Sequence, residues 1–314
     1  MSASLGAPLY VGWQLTNECN LACLHCIEES GPGKALAGEL SREEALDVLR
    51  RLDEAQVPFL SFSGGEPLLH PGFWDIVASA CGRGMHVKVE TNGHLLKAED
   101  CARLGSLGVK AVQLSLDGAS AGTYERLRMR GRFETVLEAA RLLRAAGVPL
   151  ELNFSPTRFN VHEAGLAIDK AVELGAIGFY TGRTIMAGNA ARSRALLEPT
   201  EEQYASFFAQ VRAKAAEYQG RLRVCCHEMG FLEELKVRVE NPAALFILLP
   251  DGKVKLINAL PFLCGDLRRQ GVAEVWKSFL EGWRSPEVRG FIAELERDPS
   301  LVGRLHERVE CSLS

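Results

Sequence analysis

The sequence lacks the features that would place the protein in a membrane or on nucleic acid. It has no apolar run long enough to span a bilayer. Its first residues, MSASLGAPLYVGW, lack the charged start and the apolar stretch of a signal peptide. With 36 basic and 40 acidic residues the formal charge is −4, so the chain lacks the excess of basic residues that is typical of nucleic-acid-binding proteins. We therefore predict a cytoplasmic protein that binds neither nucleic acid nor membrane.

The cysteines do not form the even set of a disulfide scaffold. There are nine in 314 residues, and in a reducing cytosol thiols more often serve metals or catalysis. Three stand close together: Cys19, Cys23 and Cys26, in the spacing C-x3-C-x2-C. A zinc site or a cluster held only by protein needs four ligands. The triplet therefore leaves one metal coordination position open.

Extended apolar runs alternate six times with helical patterns up to about residue 220. Ser41 and Glu44 form the capping box expected at the start of the first helix, and Gly108 is placed to end a later one. This alternation predicts an α/β fold of parallel strands joined by right-handed crossovers. A doubly wound sheet and an open or closed barrel both fit the pattern. In either fold, function gathers at the carboxyl ends of the strands.

The pattern changes after about residue 221. Residues 245–257 read as two short strands around a Pro-Asp-Gly turn, and two helical patterns follow. We predict two parts, 1–220 and 221–314, the second a small α+β module.

Polar and glycine-rich clusters follow the six predicted strands. After the cysteine triplet they are Gly64-Gly65-Glu66-Pro67, Thr91 and Asn92, Ser115 and Asp117, Asn153, and Arg183. Because parallel strands end at one edge, these residues should share one pole of the fold.

The cysteine triplet after the first strand, together with GGEP at residues 64–67 after the second, resembles the radical S-adenosylmethionine (radical SAM) superfamily. The resemblance runs from about residue 8 to about residue 220 and implies a partial (β/α)6 TIM barrel. It implies that three thiolates hold a [4Fe–4S] cluster whose fourth iron binds SAM. It also implies reductive cleavage of SAM to a 5′-deoxyadenosyl radical that abstracts a substrate hydrogen, and a flavodoxin- or ferredoxin-type electron donor.

The same resemblance assigns roles around SAM. His25 would pack the adenine, Gly64 and Gly65 would let backbone approach SAM, and Glu66, beside Pro67, would add charge close by. Contacts to the ribose and the methionine end fall to Thr91, Asn92, Ser115, Asp117 and Asn153, and the SAM carboxylate to Arg183. Each has an alternative: a surface loop histidine, loop-capping groups, or a surface salt bridge. Arg128 and Arg130 are interpreted as a solvated helix end or as contacts to an anionic substrate.

Residues from about 245 to about 290 resemble the SPASM or twitch modules of one radical SAM branch. The cysteines that normally flank the hairpin are missing here. Cys225, Cys226, Cys264 and Cys311 could assemble one auxiliary cluster, but a degenerate module that lost its metal is the favoured interpretation. Cys225 or Cys226 could instead give a hydrogen atom to a substrate radical, as in some radical SAM epimerases, or both could be buried small residues.

The predicted function is hydrogen abstraction from a small biosynthetic molecule of the sugar, nucleoside, aminoglycoside or tetrapyrrole type. A maturase acting on a ribosomally made peptide is the alternative. A non-catalytic cluster-binding scaffold is a second alternative, and a zinc protein using the triplet plus His25 is the third. Neither of the last two gives GGEP at residues 64–67 a catalytic role.

Overall fold

Seven parallel strands form the main body of the sheet in the computed structural model, which describes residues 5–307 and 311–312. Each strand pairs with its successor along the chain, from the first to the seventh. The strands are β1 (Tyr10–Gln14), β2 (Phe59–Ser63), β3 (His86–Thr91), β4 (Ala111–Ser115), β5 (Leu150–Phe154), β6 (Gly178–Gly182) and β7 (Arg223–His227).

Helices connect these strands and cover the outer face of the sheet. The first shows why they form: Ser41 and Glu44 make the predicted capping box, and Ala45, Val48, Leu49 and Leu52 give one buried stripe. The helices are α1 (Arg42–Glu54), α2 (Phe73–Gly82), α3 (Ala98–Leu107), α4 (Ala121–Leu127), α5 (Phe133–Ala145), α6 (Ala164–Glu173), α7 (Asn189–Arg192), α8 (Arg194–Leu197) and α9 (Glu201–Glu217). Gly108 ends α3 in the left-handed conformation, as predicted.

The C-terminal module continues the same sheet. Its first strand pairs in parallel with β1, on the side opposite β2, and the next two strands add antiparallel. The elements are α10 (Phe231–Glu240), β8 (Leu245–Leu248), β9 (Lys253–Lys255), β10 (Phe262–Asp266), α11 (Val272–Gly282), α12 (Pro286–Arg297) and β11 (Cys311–Ser312). The predicted hairpin is therefore present.

The strand β7 differs from the sequence-based expectation. Its residues, RVCCH, fall in the predicted C-terminal part, yet the structure pairs them with β6 as a seventh parallel strand. The predicted boundary at residue 220 thus lies before the last strand of the barrel rather than after it. The division of the chain into two parts at residue 220 stays a prediction. Over the described residues, no helix is both long enough and apolar enough to cross a bilayer.

Candidate active site at the strand ends

The loop after β1 carries the three cysteines. Cys19 and Cys23 are buried, Cys26 is half-buried, and all three line one cavity of about 230 Å³. Burial raises the pKa of the Cys19 thiol to about 11 and that of Cys23 to about 12, because a thiolate is poorly solvated there. A metal group would have to supply the compensating charge, since metals bind the thiolate form.

The base of this loop is closed by Glu18. Its backbone forms an isolated bridge with Gly31, and its carboxylate accepts hydrogen bonds from the backbone nitrogens of Gly33 at 2.8 Å and Lys34 at 2.9 Å. The loop is therefore held in one arrangement by the protein itself.

A segment after β6 fastens the other side of the loop. The backbone nitrogen of Asn189 donates to the Cys26 carbonyl at 2.9 Å, and its side-chain amide donates to the Cys23 carbonyl at 3.3 Å. Gly188 has φ +59, and a Cβ there would lie 2.3 Å from the carbonyl oxygen of Ile27. Only glycine permits this approach. The sequence analysis did not identify these residues, and the Gly-Asn pair at 188–189 was the available signal.

Gly64 and Gly65 bring the loop after β2 against the cysteine loop. A Cβ on Gly64 would lie 2.4 Å from the Thr16 carbonyl oxygen, and one on Gly65 only 2.1 Å from that of Glu18. The backbone nitrogen of Gly65 donates to Thr16 at 2.7 Å. Both glycines line the cysteine cavity. Their close approach to the neighbouring loop is observed, whereas their close approach to a ligand stays a prediction.

Glu66 lies behind the cavity, and its side chain does not line it. The carboxylate is fully buried and accepts hydrogen bonds from the Thr91 hydroxyl at 2.7 Å and the Asn92 backbone nitrogen at 3.0 Å. Burial raises the pKa of Glu66 to about 7, although these hydrogen bonds oppose the rise. Pro67, also outside the cavity lining, opens a short 3-10 turn that Glu66 caps. In this structure Glu66 ties the end of β2 to the end of β3.

Asn92 reaches the cysteine loop directly. Its side-chain nitrogen donates to the Asn20 side chain at 2.8 Å and lies 3.7 Å from the sulfur of Cys19. Thr91, Asn92 and Ser115 all line the cysteine cavity, as does His25. These positions are compatible with the predicted SAM contacts, which stay a prediction.

Asp117 is the centre of a buried charge cluster. His25 Nε2 lies 2.8 Å from its Oδ2, and Nε and Nη2 of Arg128 each lie 2.7 Å from the same oxygen. The Ser155 backbone nitrogen donates to Oδ1 at 2.7 Å. Burial alone would raise the pKa of Asp117, but the charge of Arg128, followed by that of His25, outweighs it and holds the pKa far below its usual range. Asp117 therefore contacts protein groups rather than the cavity.

The expectation that Arg128 lies at a solvated helix end is wrong, because Arg128 is 8% exposed and its Nη1 lies 3.7 Å from the sulfur of Cys23. Arg128 also lines the cysteine cavity, so a contact with an anionic substrate stays a prediction. Tyr124 and Leu127 are buried on the same short helix. Tyr124 lies four residues before Arg128, and this spacing was the signal that Arg128 faces inward.

A second cavity, of about 550 Å³, opens from the first. Both are lined by His25, Ile27 and Ser155. Asn153 and Cys225 lie on either side of Tyr180 in the register of β5, β6 and β7, and all three line this second cavity. Asn153 and Cys225 therefore line the second cavity and do not line the cavity that contains the three thiols.

Tyr180 belongs to a network of charged groups at the start of β7. Glu151 accepts from the Tyr180 hydroxyl at 2.9 Å and pairs with Lys88 at 3.0 Å and Arg223 at 2.6 Å. This network fixes Tyr180 at the floor of the second cavity, since a buried carboxylate is stable only when it is paired.

Arg183 occupies the outer rim. Its Nη1 and Nη2 lie 2.9 and 2.7 Å from the two carboxylate oxygens of Glu201, and its guanidinium stacks over the Tyr204 ring. It lines the second cavity and a third of about 750 Å³, but not the cysteine cavity. A contact with the SAM carboxylate would have to replace this ion pair.

The cysteines considered for an auxiliary cluster are dispersed. Cys225 and Cys226 lie on β7 and the buried Cys264 on β10, near opposite ends of the strand order. The side chain of Cys311 lies outside the described residues. The described part of the chain shows no group of three or more His, Cys, Asp or Glu side chains close enough to hold a single metal ion.

The cysteine triplet nevertheless fits a [4Fe–4S] cluster. Such a cluster takes each thiolate on a different iron, so its ligands need not converge on one point. Three thiols on one cavity, with Asn92 and Arg128 as neutral and charged donors beside the sulfurs of Cys19 and Cys23, match that donor set.

The family model of the radical SAM superfamily matches residues 13–156. This chain belongs to the radical SAM superfamily. Among its relatives, an AdoMet-dependent heme synthase of Methanosarcina barkeri is 29% identical over 297 residues, which cover 88% of this chain and 84% of the relative. Mycofactocin maturase MftC of Mycobacterium ulcerans is 39% identical, covering 50% of this chain and 42% of the relative. A PqqA peptide cyclase of Streptomyces rochei is 36% identical, covering 69% and 59%.

Solved structures show the same fold. SuiB of Streptococcus suis bound to precursor peptide SuiA has a TM-score of 0.72 at 14% identity, covering 90% of this chain and 68% of that one. Native anSMEcpe with bound AdoMet and Cp18Cys peptide has a TM-score of 0.63 at 14% identity, covering 88% and 83%. The predicted radical SAM family and partial-barrel fold are confirmed. The chain spans about half the length of the maturase and cyclase relatives.

One expectation is contradicted by these comparisons. A small molecule was favoured over a peptide as the substrate, yet the relatives include a peptide cyclase, and both solved structures named above contain a bound peptide.

Proposed function

We propose that this protein is a radical SAM enzyme that removes a hydrogen atom from a peptide substrate. The observation that carries the proposal is the run of three cavities leading away from the cysteines. The second shares His25, Ile27 and Ser155 with the first, and the third shares Arg183, Thr184, Ile185 and His227 with the second. A run of cavities that share lining residues would suit an extended chain, because successive residues of a peptide could occupy successive cavities.

The cysteine cavity is where the cofactors would bind. Cys19, Cys23 and Cys26 would hold the cluster, and Gly64 and Gly65 offer the backbone face nearest to them. When bound, the cluster and SAM would supply the electron and the adenosyl group needed to break an unactivated C–H bond. The chain supplies fixed geometry, because both loops are held by backbone hydrogen bonds.

The second cavity would receive the residue that reacts. Tyr180 forms its floor, held by Glu151, and Cys225 lies beside it on β7. In this proposal Cys225 would return a hydrogen atom to the substrate radical, and the thiyl radical left on its sulfur would be restored to the thiol by one electron from the flavodoxin- or ferredoxin-type donor and one proton. The third cavity, half-lined by apolar side chains such as Met186, Met229 and Phe231, would take neighbouring residues of the peptide.

Deuterium transfer tests this function. The full chain, reconstituted anaerobically and reduced with dithionite, is incubated with SAM and a pool of perdeuterated peptides. A matched sample contains the same pool hydrolysed to amino acids. We expect deuterium in the 5′-deoxyadenosine formed with peptides and none with amino acids, and no 5′-deoxyadenosine from Cys23→Ala. Unlabelled product with peptides, combined with labelled product from a deuterated tetrapyrrole, would contradict the proposal.

A further inference from the structure

The chain segment at the end of α4, residues 127–129, is hydrogen-bonded to the cysteine loop on both sides of Cys23. The backbone nitrogen of Ala22 donates to the Met129 carbonyl at 3.1 Å, and that of Leu24 donates to the Leu127 carbonyl at 3.0 Å. These two hydrogen bonds place Arg128 opposite Cys23.

From this position the side chain of Arg128 contacts both Cys23 and Asp117. Its Nη1 lies 3.7 Å from the sulfur of Cys23, while Nε and Nη2 are both held at 2.7 Å by Asp117. Because a guanidinium is planar and rigid, fixing two of its nitrogens also fixes the third. Asp117 is itself held by His25 at 2.8 Å and by the Ser155 backbone nitrogen at 2.7 Å. The cation beside the sulfur therefore cannot turn away without breaking a buried ion pair.

A cation and N–H donor at a ligand sulfur has a defined electrostatic effect. Reduction adds negative charge to a cluster, and a nearby positive charge stabilises the reduced form, most strongly where water is excluded. Arg128 is 8% exposed and Asp117 fully buried, so screening by solvent is weak here. Asp117 offsets part of the charge, but only the guanidinium lies within reach of the sulfur.

We propose that Arg128, oriented by Asp117, is a positioning residue that holds Cys23 for its iron and raises the reduction potential of the cluster. This inference rests on the proposed function, since it requires the cluster at the triplet. It predicts that an electron enters the cluster more easily than it would without this side chain.

The test measures the potential rather than activity. Reconstituted full-length wild type, Arg128→Gln and Arg128→Lys are titrated with a reductant without SAM, and the reduced cluster is followed by electron paramagnetic resonance. Iron content and circular dichroism are measured on each sample. Arg130→Gln is the matched control, because Arg130 is exposed and lies two residues away.

For Arg128→Gln we expect the ratio of reduced to oxidised cluster at a fixed potential to fall on the order of tenfold, because charge and hydrogen bonds at the ligand sulfurs help to set the potential. For a one-electron couple tenfold equals 59 mV. Arg128→Lys should fall between that variant and wild type, and Arg130→Gln should match wild type.

A wild-type potential in Arg128→Gln with full iron would overturn the inference. If that variant takes up no iron, Arg128→Lys decides: a lowered potential supports the inference and a wild-type potential overturns it. A wild type without a cluster would instead refute the proposed function.

Discussion

Replacing Glu66 by Gln should remove a pH-dependent loss of stability. Glu66 is fully buried and accepts hydrogen bonds from the Thr91 hydroxyl and the Asn92 backbone nitrogen. Glutamine has nearly the same shape and can still accept from Asn92, while the Thr91 hydroxyl can turn to accept from the new amide. The substitution therefore removes the ionisation with little change in packing.

The magnitude follows from the pKa of this carboxyl, which burial raises from 4.5 to about 7. At 1.36 kcal/mol per pKa unit, the difference corresponds to about 3 kcal/mol. Below pH 4.5 the carboxyl is protonated in the folded and the unfolded chain. Between 4.5 and 7 only the folded chain keeps the proton, so rising pH favours unfolding. Above about 7 both forms are ionised and the loss is complete.

The assay is urea unfolding followed by circular dichroism at several pH values from 4.5 to 8. The free energy of unfolding of wild type minus that of Glu66→Gln should fall by up to about 3 kcal/mol across this range. Contributions from other groups, such as Asp117, are common to both proteins and cancel. Glu99→Gln, at an exposed site, is the control. A difference that stays constant with pH would refute the reasoning.

Three further substitutions test the site. Gly65→Ala places a Cβ 2.1 Å from a backbone oxygen of the cysteine loop, so we expect loss of iron binding and a lower melting temperature by calorimetry. Asn189→Ala removes the hydrogen bond to the Cys23 carbonyl, worth about 1 kcal/mol, and chelator challenge should strip iron several-fold faster; an unchanged rate would exclude this role. Cys225→Ala should spare 5′-deoxyadenosine formation yet change or stop the product, while Cys226→Ala should not; identical products from both would remove Cys225 from the mechanism.

Much of the site could be predicted because parallel strands end at one edge. Cys19, Gly64, Thr91 and Ser115 are far apart in sequence but lie at or just after the ends of four successive strands, and the structure brings them to one cavity. Helix capping also depends on residues close together in sequence, which is why the predicted start of α1 at Ser41 agrees with the structure.

The rest depends on contacts between distant segments that no local pattern encodes. Glu66 and Arg128 carry charges that usually face solvent, but each is buried because a partner from another strand end satisfies it. Similarly, β7 is not followed by a further strand–helix unit of the same pattern, and only its pairing with β6 identifies it as part of the barrel. The substrate depends on cavity shape, which arises from loops and cannot be read from residue types.

The most direct test of the account is an iron and sulfide count on the anaerobically reconstituted full chain, beside a variant with Cys19, Cys23 and Cys26 all replaced by alanine. The account predicts about four irons and about four sulfides lost from the wild-type total when the triplet is removed. Equal iron in the two proteins, or tightly held zinc with no sulfide in the wild type, would contradict a radical SAM cluster at these three cysteines.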